Sequence, residues 1–394
     1  MRVHIVAVAA LSAALIGAAA SPALATGAPA ARQGSSNPGD ASPSLSLSVS
    51  PAGQPEIASV GKNGSLWFSI KSGGKWHRTQ IAKQGSVAAG PSLIAENAGS
   101  AILAVQGPSH SLQYYYLVAG QWHHVQVAGK NTTYSTPSLG QGPDEPGIAA
   151  VGPDHSLRYY ALKTGKWHVT TINGKNSADS APSLVIRQAD QAISGDPAGE
   201  VDIAVEGASN SLSYYHSLPG GHFQNEVIGG PNSTYAAPSL IVLASLSRIS
   251  VAGVPVIMAE GFRHSLVEYV DDGSWSSNSR EGNGWDYSAP SLVQGDTTTE
   301  FTTAFEGASR GLVLTYLDVN DRTWVNDVAG VINSVYSPPS LFVRTNSTPA
   351  GQLNIAVQGP SNRLRYYSAP LPAPGFGPNF LSINVAGTGT TFGG

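Results

Sequence analysis

Apolar residues in this chain come in short β-like runs, and the same order of runs recurs along its length. The stretch 101–139, AILAVQGPSHSLQYYYLVAGQWHHVQVAGKNTTYSTPSL, reads as three short strands and a closing loop. Its last triplet, Pro-Ser-Leu, begins at Pro43, Pro91, Pro137, Pro182, Pro238, Pro290 and Pro339. Those starts are 48, 46, 45, 56, 52 and 49 residues apart, and 55 residues follow the last. A period of this length with several β-runs per unit is the signature of a propeller blade. The expected fold class is therefore all-β, a seven-bladed β-propeller of four-stranded antiparallel blades.

Each unit reads as four strands. The first follows Pro-Ser-Leu. The second is an Ile-Ala-Val type run, as in Ile203-Ala204-Val205 and Ile355-Ala356-Val357, whose small apolar residues suit a strand packed on both faces. A turn such as Gly107-Pro108-Ser109-His110-Ser111 leads to a third strand that usually carries two tyrosines. The fourth opens at Trp76, Trp122, Trp167, Trp275 or Trp324, with Phe223 in that place in unit four. A polar loop, Gly129 to Ser135 in unit two, then crosses to the next unit and ends at Pro, which a strand start tolerates.

The two ends match. Val385 to Phe392 repeats Val127 to Tyr134 and stops just short of a Pro-Ser-Leu, and unit one begins with that triplet at Pro43. Ends that continue each other across one repeat boundary imply a closed ring with only short, protected edges.

Composition agrees with many short strands: 45 Gly, 27 Pro and only 12% charged residues. Residues 1–25 read as a signal peptide, with Arg2 before an apolar run from Val6 to Ala20 and Ala23-Leu24-Ala25 as the cleavage pattern. Residues 26–41 are small, polar and rich in Pro and Gly, and read as a disordered leader. The propeller then occupies 42–394, and the expected product is secreted and bacterial. No later stretch is long and apolar enough for a membrane span. No dense basic block is present, which argues against a nucleic-acid partner. There is no cysteine, so thiol catalysis and thiolate metal sites are excluded and burial must hold the fold.

The repeat resembles that of bacterial seven-bladed propeller lectins of the fucose-binding, insect-pathogen type, and more distantly the tectonin-like propellers. The likeness rests on an apolar strand ending in Gly, a turn, Leu-x-Tyr as in Leu112-Gln113-Tyr114, and Gly-x-Trp as in Gly120-Gln121-Trp122. It spans nearly all of 42–394 and implies monosaccharide sites in clefts between adjacent blades. This chain departs from that repeat in its Ser-x-Ser turns and in its Tyr-Tyr third strand, as in Tyr159-Tyr160 and Tyr214-Tyr215.

The residues best suited to hold a sugar lie in the crossing loops. Tyr134, Tyr235, Tyr287 and Tyr336 stand three residues before the Pro, with Phe392 in the last loop and Ala88 and Asp179 in units one and three. An aromatic ring packs on the C–H face of a sugar, and Asn131, Asn232 and Asn333 nearby offer polar partners for its hydroxyls. A wedge role between blades would place the same tyrosines equally well. The repeated Trp reads as blade packing. Glu206, Glu260 and Glu306 end strand two where other units have Gln106 and Gln358. They would serve acid–base chemistry if they met at one tunnel mouth, whereas Gln at the same place points to bonding of the following turn. Histidines at His77, His110, His123, His155, His168 and His264 sit on separate units without metal-ligand spacing. No catalytic, metal or cofactor motif is present.

The expected function is non-enzymatic, lectin-like binding of glycans or cell-surface polysaccharide at several weak interblade sites. A secreted glycosidase or polysaccharide lyase, and a protein-interaction scaffold, are the alternatives.

Overall fold

The computed structural model describes residues 45–96, 99–188, 191, 199–243, 253–295, 299–318, 323–330, 332–344, 351–370 and 380–391. The expected signal peptide (1–25) and leader (26–41), together with Pro43 and Phe392, lie outside the described residues.

The described residues form seven four-stranded antiparallel sheets with strands in chain order. The blades span 45–82, 91–128, 138–173, 183–229, 239–281, 291–328 and 340–386. Blade two shows the pattern, with strands Pro91–Ala95, Ala101–Gly107, Ser111–Val118 and Gln121–Ala128. Its second strand is buried at every position, while the fourth is largely exposed.

Period-two alternation on these strands builds a separate core in each seam. Ala101, Leu103 and Val105 face blade one with Phe68 and Leu66, whereas Ile102 and Ala104 face blade three with Ile148. The double tyrosine follows the same rule. Tyr115 enters the seam behind and Tyr114 the seam ahead, and Tyr215/Tyr214 and Tyr367/Tyr366 divide in the same way. Among the described residues seven such clusters occur, each drawn from two neighbouring blades. Full burial of one Leu or Ile stabilises by about 1.5–3 kcal/mol, so the seams supply the cohesion that disulfides do not.

The repeated Trp belongs to these seams. Trp122 meets Phe68 edge-on at 5.1 Å, Trp167 meets Tyr114 at 5.2 Å, and Trp275 meets Tyr214 at 4.9 Å, each in the blade behind. Trp76 meets Tyr366 at 5.1 Å across the seam that closes the ring. Blade seven uses Phe380 here. Its strand register, Ser368 opposite Leu381, sets Phe380 one pair further along, where blade two has Leu117 opposite Trp122.

Closure is made on the innermost strands by one repeated hydrogen bond. The Leu N–H of each first strand donates to the Ser hydroxyl of the first strand behind it: Leu93 to Ser46, Leu139 to Ser92, Leu184 to Ser138, Leu240 to Ser183, Leu292 to Ser239 and Leu341 to Ser291, at 2.9–3.1 Å. Leu47 donates to Ser340 at 2.9 Å and completes the circle. The same bond corrects the sequence alignment of blade one. Ser46-Leu47 occupies the place of Ser92-Leu93, so Leu45 and not Pro43 stands where Pro91 does.

Candidate functional site at the interblade seams

Because the strands alternate in direction, the turn between strands two and three and the crossing loop to the next blade emerge on one face of the ring. Backbone bonds tie them together. Asn131 N–H donates to Ser109 O at 2.9 Å, and Thr132 and Thr133 N–H donate to His110 O at 2.8 and 2.9 Å. The same bonds recur at Asn232, Gly284 and Asn333.

The hairpin turn places two consecutive residues in the left-handed region: Ser109-His110, Asp154-His155, Ser209-Asn210, Arg263-His264, Ser309-Arg310 and Ser361-Asn362, each with φ of 56–61°. Blade one has Asn63-Gly64. Primed hairpin turns demand this geometry because it matches strand twist, and glycine is their usual occupant. Keeping His or Arg there costs about 1–2 kcal/mol per residue, a cost glycine would avoid, whereas Asn tolerates the position.

These turn side chains hold both neighbours. Behind each lies the last side chain of strand two: Gln106 Nε2 lies 2.9 Å from His110 Nδ1, Glu260 Oε1 lies 2.5 Å from His264 Nδ1, and Asn210 Nδ2 donates to Glu206 Oε1 at 2.6 Å. Ahead lies the crossing-loop aromatic. His110 stacks on Tyr134 with centroids 4.4 Å apart and 13° between planes, and His264 stacks on Tyr287 at 4.3 Å and 20°. The Arg310 guanidinium lies 4.4 Å from the Tyr336 ring centre. Tyr235 instead neighbours Phe262 at 6.4 Å. In blade three the pair is His155 Nδ1 and Asp179 Oδ1, 2.7 Å apart, and in blade one Gly64 and Ala88 carry no such contact.

Each tyrosine also bridges to the following blade through its backbone. Tyr134 N–H donates to Val151 O, Tyr235 to Glu260 O, Tyr287 to Glu306 O and Tyr336 to Gln358 O, at 2.7–2.9 Å. The four predicted tyrosines therefore sit at seams, one ring face covered in three of them, and they are not sealed. Tyr287 is 37% exposed and Tyr336 36%, while Tyr134 and Tyr235 are half-buried.

Asn131, Asn232 and Asn333 are exposed and hold the left-handed position of the crossing loop at φ 59–62°. Asn176, Gly85, Gly284 and Gly389 fill that position in the other loops. A left-handed residue is needed there, and Asn tolerates it. Asn176 holds the same place in the repeat, in the loop that has Asp179 where others have an aromatic ring.

The acidic residues are turned back onto their own hairpins. Strand two is second from the axis, and Glu206 and Glu260 are buried. Burial, with the charges of Asp179 and Glu260 adding to it and the Asn210 bond opposing it, pushes the Glu206 carboxyl up to about 7. Glu260 raises His264 above the ordinary imidazole value through their hydrogen bond. One further acid escaped the sequence reading. Asp286 stands where the other described crossing loops have Thr133, Thr234, Thr391, Val87, Ala178 or Val335, and it is 0% exposed. Burial, reinforced by Glu260 and Glu306, raises its carboxyl well above the usual range, and Oδ1 accepts from Ser288 N–H at 3.2 Å. Among the described residues no group of three His, Asp or Glu is placed to hold a metal ion.

No protein-family model matches the sequence, and no curated protein matches it. Solved structures do match. The BP39L lectin of Burkholderia pseudomallei superposes with a TM-score of 0.71 at 14% identity, over 89% of this chain and 99% of that one. The chain has the fold of the propeller lectins. The six-bladed fucose-recognising lectin of Aleuria aurantia matches at TM-score 0.53 and 13% identity, over 89% and 96%. The SapL1 lectin, solved with α-methyl fucoside, matches at 0.52 and 12%, over 77% and 96%. A six-bladed ring cannot overlay seven blades around one axis, which accounts for the lower score of the Aleuria protein.

Proposed function

We propose that the chain is a secreted, non-enzymatic carbohydrate-binding propeller with several weak sites at its seams. Tyr134, Tyr235, Tyr287 and Tyr336 supply the ring on which a sugar face packs, and Asn131, Asn232 and Asn333 stand beside them as exposed polar partners. One observation carries this reading: three of these rings are backed by a His or Arg held in a strained turn, yet remain partly open to solvent. A ring fixed on one side and accessible on the other is the platform that sugar stacking requires. The lectin fold of its structural neighbours points the same way.

A shallow site of this kind reaches about millimolar affinity, roughly 4 kcal/mol. Several on one rigid ring raise avidity by about 10²–10⁴ on a glycan-covered surface. A glycan array tests the reading. Binding should be abolished when the four tyrosines are changed to Ala together and retained in Glu206→Gln. Turnover of a polysaccharide that disappears in Glu206→Gln or Glu260→Gln would overturn it in favour of a hydrolase or lyase. Export rests on residues 1–25 and is checked by sequencing the N-terminus of protein recovered from culture medium.

A further inference from the structure

Charge is divided unevenly around the ring. Residues 45–180 and 339–394, which make up blades one to three and seven, hold thirteen Lys and Arg against six Asp and Glu. Residues 181–338, blades four to six, hold six against eighteen. All eight lysines lie between Lys62 and Lys175.

The two surpluses differ in where they sit. On the crossing face, Lys83, Lys130 and Lys175 stand in three successive crossing loops, one or two residues before left-handed Gly85, Asn131 and Asn176. Lys62 on the blade-one hairpin and Arg363 beside the blade-seven hairpin extend the arc. All five are exposed, and among the described residues none forms an ion pair. The acids of this arc's hairpins and crossing loops are Asp154 and the His155-paired Asp179. In blades four to six, by contrast, Glu206, Glu260, Glu281 and Asp286 are buried. Positive charge therefore faces solvent along one arc, while several acids of the other arc are buried.

We propose that the crossing face of blades seven, one, two and three is a docking track for an anionic polysaccharide, one bearing carboxylate, sulfate or phosphate groups along its chain. Exposed lysines on flexible stems, repeated once per blade, make no pocket and select no single sugar. They do match a polymer whose charges also repeat, and each contact adds to the same field. A nucleic-acid duplex is a poorer fit, because its one charge per about 1.7 Å calls for denser neutralisation than one cation per crossing loop. This track is independent of the tyrosine seams: it requires only charge.

The test uses the chain without its first 25 residues, with polygalacturonate, dextran sulfate, phosphorylated dextran and neutral dextran as probes. Lys83, Lys130 and Lys175 are changed together to Gln, and Tyr287→Ala/Tyr336→Ala serves as a second variant, with melting temperature confirming that both fold. The track predicts binding to at least one anionic polymer and none to dextran, weakened about tenfold or more between roughly 50 and 200 mM salt. Which anionic polymers bind identifies the charged group. The lysine variant should lose about tenfold in affinity for that polymer, and the tyrosine variant should keep it while binding more weakly to the sugar array, since Tyr134 and Tyr235 remain. Failure of the array with polymer binding intact would sink the sugar-seam reading alone. Equal binding to dextran, an unchanged lysine variant, or duplex DNA bound as tightly as the best polysaccharide would overturn the track.

Discussion

The backbone N–H of Leu47 donates to the hydroxyl of Ser340 at 2.9 Å, across 293 positions of chain. The other six seams repeat this bond between blades that follow one another in sequence. Only here does it join the two ends. Ser340→Ala should lower stability by about 1 kcal/mol, the net worth of one such bond. Guanidinium unfolding checks this, and the same loss is expected for Ser138→Ala. A far larger loss at Ser340 would mean that the closing seam carries more of the fold than its geometry implies.

That bond also shows what the sequence conceals. Blade one begins Pro43-Ser44-Leu45-Ser46-Leu47, so Ser-Leu occurs twice in succession. A slip of two residues keeps every side chain on its own face, and the hydrophobic pattern therefore fits either register. Pairing across the sheet settles on the second. Phe380 was hidden for a different reason: nine residues separate it from Pro370, the end of its partner strand, so the usual short hairpin spacing to the Trp place is lost. The seven units, the double tyrosines and the seam tyrosines were legible because each depends on local period and turn chemistry. The stacking of His110 on Tyr134 and of His264 on Tyr287 was not. Those partners lie some 24 residues apart, and only the left-handed turn brings them together.

Glu56 is a buried acid without that kind of support. It is 1% exposed, its Oε2 has no hydrogen-bond partner, and burial pushes its carboxyl up to about 7 from 4.5. Below about pH 4.5 the group is neutral in both folded and unfolded chains and costs nothing. As pH rises from about 4.5 to about 7 the unfolded chain gains by ionising it, and stability falls by on the order of 3 kcal/mol before levelling off. Glu56→Gln should be close to neutral at about pH 4.5 and clearly stabilising at about pH 8. Paired urea melts at the two pH values measure the difference, and equal effects at both would rule out a buried neutral carboxyl.

His264 provides a second titration with the opposite charge. Its hydrogen bond to Glu260 raises the imidazole above 6.5, outweighing burial. The stabilisation is fully present below the unfolded value and is lost as pH rises through the folded one. In Glu260→Gln the ring should titrate lower than in the parent chain. Proton NMR of the histidine ring signals gives the answer directly, and an unmoved His264 would show that the carboxylate does not hold it.

The seam that closes the ring should depend on its aromatic wedge. Trp76 meets Tyr366 edge-on, and Lys71 Nζ lies 5.4 Å from the same tyrosine ring. Since Trp76 is only half-buried, Trp76→Ala should cost about 2–3 kcal/mol, less than the ~3–5 of a fully buried Trp. Thermal unfolding followed by circular dichroism checks the size of the loss. No loss would mean that the wedge is dispensable.

The central claim is that sugars sit on the seam tyrosines. Its most direct measurement is a crystal of the protein soaked with the tightest monosaccharide from the array. Sugar rings should lie against the uncovered faces of Tyr287 and Tyr336, with Tyr134 and Tyr235 as further sites. Sugar found only in the central tunnel or on the outer strands, with all four tyrosine faces bare, would contradict the account.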